Sequence, residues 1–364
     1  MKLLAALTSA VTALLAATAS LVDAATNTTL SSSSSSSAFC ADTQRVTLAS
    51  CGAKCDDDQP CAQYPSGSAT TCSDAPGGKC VKQDTSCTYQ CLDDTYKSGA
   101  LALKWTLFVK EPKANDDTST APIEKIAAGV FSSETRAIQI TGFDNADVQK
   151  GSMKTVAFAD GAFATAAVLE GLVITNVDLS TAQTNLLPKS VNLLYLQNCN
   201  LKAFPADIAN MGNLAQLNLA KNVITETPAS GSSVATALQK VKTLDLSANA
   251  LTKFDLVLPE VTMLNLEDNA LDTFPTSIFN MTKLTSINLK GNNIKNLVVT
   301  KAQFTLLKRL LSNSTLGVEA ASGSCASGAT EDKVLDAVVC ISESDGSGST
   351  DDKKSGSSST IIIV

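Results

Sequence analysis

The chain has 364 residues, a formal net charge of −7 and no histidine. Its 44% hydrophobic content excludes a wholly disordered protein, and its lysines and arginines are too scattered to form a nucleic-acid surface. Because histidine is the commonest general base and a common metal ligand, the composition predicts no enzyme activity, no cofactor and no metal site.

Residues 1–24 have the pattern of a secretory signal peptide. An apolar run from Leu3 to Val22 follows a lysine, and small residues suit cleavage after Ala19 or Ala24. A retained membrane anchor is the alternative, although threonine and serine make the run a weak membrane segment. The pattern therefore predicts an extracellular protein, either secreted or at the cell surface. A serine-rich, flexible spacer follows over residues 25–39.

Residues 40–91 hold eight of the eleven cysteines and few large aliphatic side chains. This density is typical of a disulfide module in an oxidising compartment, but spacing alone leaves the pairing open. The acidic run Asp56–Asp58 lacks the alternating oxygens and glycine bend of a calcium loop, so it is predicted to be a solvated turn. The disulfide candidates here are Cys40, Cys51, Cys55, Cys61, Cys72, Cys80, Cys87 and Cys91.

An internal repeat of the form LxxLxLxxNxL fills most of residues 169–300. Its units begin at residues 169, 191, 214, 241, 261 and 284 and read LEGLVITNVDL, VNLLYLQNCNL, LAQLNLAKNVI, VKTLDLSANAL, VTMLNLEDNAL and LTSINLKGNNI. The pattern and the 20- to 27-residue spacing resemble those of the leucine-rich repeat family. The asparagine position is filled by Asn222, Asn249, Asn269 and Asn292, whereas Cys199 and Val177 occupy it in the first two units.

The resemblance implies an α/β leucine-rich repeat solenoid, a curved parallel β-sheet with an irregular or short-helical convex side, preceded by the small disulfide-rich module. In each unit the leucines of LxL point inward and the asparagine amide satisfies backbone groups at the turn. Cys199 is expected to be a small buried thiol in the asparagine position. The return segments repeat a second apolar set that lines the convex side: Phe204, Ile208, Met211, Phe274, Ile278 and Met281.

Weaker patterns flank the repeats. Residues 100–168 are interpreted as degenerate leading repeats and an N-terminal cap, in which the segment around Trp105 is a strand that covers the open end of the stack. Ile138, Ile140, Val156 and Phe158 are predicted to point inward.

Residues 301–340 are predicted to form a C-terminal cap. A helix would carry Phe304, Leu307 and Leu311 on one face, and Cys325 would pair with Cys340. Residues 341–360 are a flexible linker rich in Ser, Gly and Asp. Residues 361–364, IIIV, are interpreted as the first residues of a truncated transmembrane segment, with membrane attachment beyond the C-terminus.

The outward side chains of the predicted strands are the candidate ligand-binding site. A protein, peptide or glycan would bind this concave face, and a plain solvated face is the alternative. The candidate residues are Tyr195, Gln216, Asn218, Thr243, Asp245, Met263, Asn265, Ser286 and Asn288. Glycosylation sequons occur at Asn27, Asn280 and Asn313.

Three classes of function follow. The order of modules resembles the ectodomain of a leucine-rich repeat receptor-like kinase, but these residues contain no kinase motif. A free secreted binding protein or enzyme inhibitor is the alternative, and a coding sequence that continues past Val364 would favour the receptor. A carboxylate hydrolase is disfavoured, because Asp245 and Glu267 would be displaced in register and open to water.

Overall fold

The computed structural model describes residues 46–50, 61–65, 79–83, 87–91, 104–109, 123–131, 133–142, 155–182, 185–319 and 325–342. The N-terminal strands are β1 (Val46–Leu48), β2 (Cys61–Pro65), β3 (Lys79–Gln83), β4 (Cys87–Cys91), β5 (Lys104–Val109), β6 (Lys125–Ile126), β7 (Ala137–Gly142) and β8 (Ala157–Phe158). The repeat strands are β9 (Gly171–Thr175), β10 (Leu193–Gln197), β11 (Gln216–Asn218), β12 (Thr243–Asp245), β13 (Met263–Asn265) and β14 (Ser286–Asn288). The C-terminal strands are β15 (Ile294–Lys295), β16 (Leu297–Thr300), β17 (Val318–Glu319), β18 (Ala329–Val334) and β19 (Ala337–Ser342).

Helices are few and short. The α-helices are α1 (Ser233–Ala237) and α2 (Lys301–Leu307), and 3₁₀ helices span Ala206–Asn210, Leu238–Lys240 and Thr276–Asn280. The predicted signal peptide, serine-rich spacer and residues 361–364 lie outside the described residues, as do Cys40, Cys51, Cys55 and Cys72. The start of the predicted linker was wrong, because residues 341 and 342 belong to β19 and Ile341 is buried; residues 343–360 lie outside the described residues.

An eight-stranded parallel sheet forms the body of the repeats, in the order β14-β13-β12-β11-β10-β9-β7-β5. Each predicted repeat unit contributes one strand, and neighbouring strands pair in parallel register from β5 to β14. The strand that contains Trp105 forms the end of this sheet, as predicted. The repeat stack expected from the sequence is therefore confirmed.

The core lies between this sheet and the convex side. The inward leucines of the repeats are buried, for example Leu194, Leu217 and Leu244. On the convex side, Ile208 and Ile278 are buried within the two 3₁₀ helices that follow the Phe-Pro pairs. The return segments therefore close the core as predicted, because each repeat hides its apolar face only by stacking on its neighbours.

Each repeat turns after its strand through one residue in the left-handed backbone region. This residue immediately precedes the asparagine position and has a φ between 53° and 74° in all six units. Glycine adopts this conformation without strain, whereas most other residues do not. The six residues are Asn176, Asn198, Lys221, Ala248, Asp268 and Gly291.

A second sheet, in the order β3-β4-β2-β1-β6-β8, joins the cysteine-rich segment to the leading repeats. Its strands β1 and β6 pair in parallel, and Cys61 on β2 is disulfide-bonded. Ile138 and Val156 are buried, as are Ile140 and Phe158, as expected. However, Phe158 lies on β8, so its strand belongs to this second sheet and not to the repeat sheet.

The C-terminal cap contains α2, which begins with a capping box between Thr300 and Gln303. Phe304 and Leu307 are buried as predicted, but the expectation for Leu311 was wrong. The helix ends at Leu307 and the Leu311 side chain is 53% exposed. A disulfide joins Cys325 to Cys340 on β19, as predicted, and β19 pairs with both β16 and β18. None of the helices in the described ranges is long and apolar enough to cross a bilayer.

Candidate functional site

The repeat sheet brings the predicted concave residues into register. Tyr195, Asn218, Asp245, Asn265 and Asn288 are direct partners on five successive strands, and we call this row the central column. Gln216, Thr243, Met263 and Ser286 are likewise paired from β11 to β14, and we call this second row the flanking column. The structure therefore places all nine candidate residues in two adjacent rows of the repeat sheet.

The central column is much less accessible than a solvated sheet face. Tyr195 is 8% exposed, Asn218 4%, Asp245 0% and Asn265 5%. In particular, the expectation that Asp245 is open to water was wrong. Neighbouring strands only about 4.8 Å apart bring these short side chains together. In the flanking column Gln216, Thr243 and Met263 are half-buried, so they form the accessible part of the surface, whereas Ser286 is buried.

The central column is also bonded to the backbone at the strand ends. The Oδ1 atom of Asn218 accepts a hydrogen bond from the Ala220 amide at 2.9 Å. Asp245, Asn265 and Asn288 accept the equivalent bond from the residue two positions later, at 2.9 to 3.1 Å. An Asn or Asp two residues before a turn residue is the usual signal for such bonds. Sequence reasoning missed this second ladder because it interpreted the column only as a surface.

Asp245 differs from the other members in having a second carboxylate oxygen. Its Oδ1 atom accepts bonds from both the amide and the hydroxyl of Ser247, at 2.9 and 2.7 Å. Its Oδ2 atom is buried and has no hydrogen-bond partner. Burial raises the pKa of Asp245, against the opposing effects of Ser247 and the Asn265 amide. Asp245 is therefore a buried carboxylate held by Ser247 and Asn265, and not an exposed group of the concave face.

Tyr195 forms the aromatic end of the central column. Its hydroxyl donates to the Gln216 Oε1 atom at 3.3 Å. Burial raises the pKa of Tyr195 to about 12, with a smaller contribution from the negative charge of Asp245. Tyr195 is therefore a neutral phenol fixed beside the flanking column.

The predicted asparagine ladder is present in the turns that follow the repeat strands. Asn222 donates to the Leu196 and Leu219 carbonyls at 2.7 and 2.8 Å and accepts from the amides of Cys199 and Leu201. Asn249, Asn269 and Asn292 repeat this arrangement in the following units. Each amide links two successive repeats, so these residues hold the stack together.

Cys199 replaces asparagine in this ladder and is buried with a free thiol, as predicted. Its Sγ atom donates to the Ile174 carbonyl of the preceding unit at 3.3 Å. Burial raises the pKa of Cys199 to about 12. The thiol is therefore a weak structural donor and not a nucleophile.

Other polar groups on the described surface are dispersed. The described part of the chain contains no group of three or more Cys, Asp or Glu side chains that would hold a metal ion. Glu267 accepts a bond from the Asn288 amide at 2.9 Å, so it is engaged within the sheet face. Of the predicted glycosylation sites, Asn280 and Asn313 are exposed, and Asn27 lies outside the described residues.

One parallel strand per unit and an asparagine ladder between units define a leucine-rich-repeat-like solenoid. No protein-family model matches the sequence. The chain is 31% identical over 134 residues to the Ras guanine nucleotide exchange factor V of Dictyostelium discoideum, covering 36% of this chain and 6% of that protein. It is 30% identical over 129 residues to the protein SUPPRESSOR OF npr1-1, CONSTITUTIVE 1 of Arabidopsis thaliana, covering 35% of this chain and 8% of that protein. The chain thus matches less than a tenth of either relative's length.

Several solved structures align with part of this chain. An internalin of Listeria monocytogenes aligns with a TM-score of 0.33 and 16% identity, covering 54% of this chain and 67% of the internalin. A leucine-rich repeat protein of Leptospira interrogans aligns with a TM-score of 0.29 and 18% identity, covering 52% and 56%. Human trophoblast glycoprotein aligns with a TM-score of 0.35 and 18% identity, covering 59% and 85%. Because these TM-scores are low, the fold assignment rests on the strand register and ladder of this chain.

Proposed function

We propose that this chain is an extracellular ligand-recognition module that binds a protein or peptide partner on its concave face. The observation that carries the proposal is the register of the central and flanking columns across successive strands. Six strands spaced about 4.8 Å apart give a stiff surface about 24 Å long from β9 to β14. A surface of this length and polarity suits an extended segment of another polypeptide better than a small molecule.

Three features support an extracellular location. The N-terminal residues have the pattern of a secretory signal. Cys61 is disulfide-bonded and Cys325 is joined to Cys340, and such bonds persist mainly in oxidising compartments. The sequon residue Asn280 is exposed at the end of a 3₁₀ helix, so its side chain is accessible for glycosylation.

The kind of protein that we favour is the ectodomain of a cell-surface receptor or receptor-like kinase. The alternative is a free secreted binding protein. The order of signal, cysteine-rich segment, repeats, cap and linker favours the receptor. Sequencing the transcript beyond the Val364 codon separates the two. A membrane segment followed by kinase motifs supports the receptor, whereas an immediate stop codon supports the secreted binder.

A photo-crosslinking experiment tests the concave face directly. A benzophenone amino acid is placed at Thr243, which is half-buried on the concave face, or at Thr252, which is exposed on the return segment of the same repeat. Each variant is incubated with intact cells and culture medium of the source organism. We expect Thr243 alone to capture a partner, and excess unlabelled protein to prevent the capture.

Equal capture at Thr243 and Thr252, or capture only at Thr252, would contradict concave-face binding. Thermal melting of both variants verifies that the label has not unfolded the repeat. The paired replacement of Tyr195 and Asn218 is a poorer test, since both are buried and Asn218 bonds to its own turn. Loss of binding in that variant would not distinguish a contact from a folding defect.

A further inference from the structure

An apolar groove lies beside the sequon residue Asn280. It runs between the 3₁₀ helix Thr276–Asn280 and the C-terminal end of α2. Its lining side chains are mainly apolar, and three of them remain half-buried: Phe279, Leu306 and Leu310, which we call the rim. Water therefore reaches an apolar surface between the last repeat and the C-terminal cap. Such a surface is stabilised when another group covers it.

The sequon of Asn280 forms part of the wall of this groove. Asn280 is exposed at the end of its 3₁₀ helix, while Phe279, Met281 and Thr282 on either side of it line the groove. Thr282 supplies the hydroxyl that the sequon requires, and it is exposed as well. Asn313, the other exposed sequon residue, does not line the groove. A glycan on Asn280 would therefore begin at the edge of the groove.

The accessible side chains of the groove suit a sugar ring, which has apolar faces and polar edges. The ring of Phe279 packs on that of Phe274, with centroids 5.7 Å apart and an interplanar angle of 30°, so its orientation is fixed. The face of an aromatic ring is negative and attracts the positively polarised C–H hydrogens of a sugar. Arg309 also lines the groove and is exposed, so its guanidinium can donate to the hydroxyl and acetyl oxygens at the edge of the sugar.

We propose that Asn280 carries an N-linked glycan whose first N-acetylglucosamine packs on Phe279 and covers the groove. In the modification, the amide nitrogen of Asn280 forms a bond to C1 of the first sugar of a lipid-linked oligosaccharide. The bond from C1 to the pyrophosphate breaks, the lipid pyrophosphate leaves with the electron pair, and the nitrogen loses one proton. The inference rests on the secretory route within the proposed function. It makes the glycan a structural part of the C-terminal cap.

Mass spectrometry and NMR test the two parts of the proposal, with the full chain secreted from a eukaryotic host. Peptide N-glycosidase in ¹⁸O-labelled water converts a glycosylated asparagine into labelled aspartate, so the peptide that contains Asn280 should gain the label. In a second sample, an endoglycosidase leaves one ¹³C-labelled N-acetylglucosamine on the protein. We expect nuclear Overhauser contacts between this sugar and the ring protons of Phe279. An unmodified Asn280, or a modified Asn280 whose sugar has no contact with the rim, would overturn the proposal.

Two variants separate the cover over the groove from the general effect of a glycan. Asn280→Gln should lower the melting temperature by about 2 to 4 °C, because it uncovers the partly exposed apolar side chains of the rim. It should also increase the binding of an apolar fluorescent dye. Asn313→Gln removes a sequon outside the groove and should change neither quantity. Equal effects of the two substitutions would contradict the proposed contact.

Truncation of the rim tests whether the glycan and the groove act together. In a Leu310→Ala background, Asn280→Gln should lower the melting temperature less than it does in the wild type, because part of the covered surface is already gone. Val257→Ala is the matched control, since Val257 is 40% exposed in an earlier repeat and does not line the groove. The effect of Asn280→Gln should be unchanged in that background, and an unchanged effect in Leu310→Ala would count against the contact.

Failure of this inference is distinguishable from failure of the proposed function. A secreted chain with unmodified Asn280 keeps the extracellular location and removes the inference alone. A chain retained in the cytosol with reduced Cys325 and Cys340 removes that location and the inference with it. A glycan on Asn280 that contacts Phe279, without a partner captured at Thr243, upholds the inference and removes concave-face binding.

Discussion

Replacement of Asn222 by alanine should destabilise the repeat stack by about 4 kcal/mol. The two amide hydrogens of Asn222 are shared among the carbonyls of Leu196, Leu219 and Ala220, and its oxygen accepts from two further amides. The side chain is 1% exposed, so water does not replace these bonds. Two donor and two acceptor bonds at about 1 kcal/mol each give the predicted loss.

Urea unfolding followed by far-ultraviolet circular dichroism measures this loss. A loss of about 4 kcal/mol is a large share of the stability of an ordinary domain, which is roughly 5 to 15 kcal/mol. Asn222→Cys should cost less than Asn222→Ala, because a thiol at Cys199 already donates to the preceding repeat at the equivalent position. Asn213→Ala, at an exposed asparagine on the same repeat, is the matched control and should change stability by less than about 0.5 kcal/mol.

Hydrogen exchange locates the effect. The amides of Cys199 and Leu201 lose their acceptor in Asn222→Ala, so their exchange should accelerate more than that of the Leu271 amide, which bonds to Asn292. This local response is expected because each repeat contacts mainly its neighbours. A loss below about 1 kcal/mol, or acceleration spread evenly over the sheet, would refute the reasoning.

Three further predictions concern the turns, the cap and the buried thiol. Ala248 has a φ of 53°, so Ala248→Gly should raise stability by about 0.5 to 1 kcal/mol, while Ala250→Gly on the same turn should lower it; thermal melting compares the two. Replacing both Cys325 and Cys340 by serine opens a link of 15 residues and should cost about 3 kcal/mol, seen as faster hydrogen exchange in β19 and contradicted by unchanged exchange there. Native Cys199 should resist thiol reagents until the chain is unfolded. Burial raises the pKa of Cys199 from 9.0 to about 12. As the pH rises, the thiol of Cys199 therefore loses its proton in the unfolded chain before it does so in the folded chain. The free energy of unfolding should fall as the pH rises from 9 to about 12. Urea midpoints should show a shallower decline for Cys199→Ala, and an identical decline would contradict this assignment.

The repeat sheet was predictable because its signal is local and repeated. Each unit contains the pattern for its own strand, its inward leucines and its asparagine. The apolar face of a unit becomes buried only when the units stack. The disulfide between Cys325 and Cys340 was predictable for a similar reason, since the two cysteines form an isolated pair within a short segment. By contrast, the parallel pairing of β1 with β6 places Thr47 beside Ile126, and the Thr47 hydroxyl donates to the Lys125 carbonyl 78 positions away. No periodicity in either segment indicates that contact.

In the candidate site, too, the local sequence pattern predicted some features and not others. Alternation along each strand correctly placed Asn218, Asp245 and Asn265 on one face. Their burial was not predictable, because it depends on side chains contributed by adjacent repeats and on bonds that turn each side chain back to its own backbone. The end of α2 was missed for a related reason. The apolar spacing continues to Leu311, but the helix ends at Leu307.

Two sets of hydrogen bonds fix the turn that follows each strand. The asparagine ladder bonds the turn to the preceding repeat, and the central column bonds the end of the strand to its own turn. At Asp245 the bond to the turn is doubled, since Oδ1 accepts from both the amide and the hydroxyl of Ser247. Each repeat therefore keeps its register through bonds within the unit and through bonds to its neighbour.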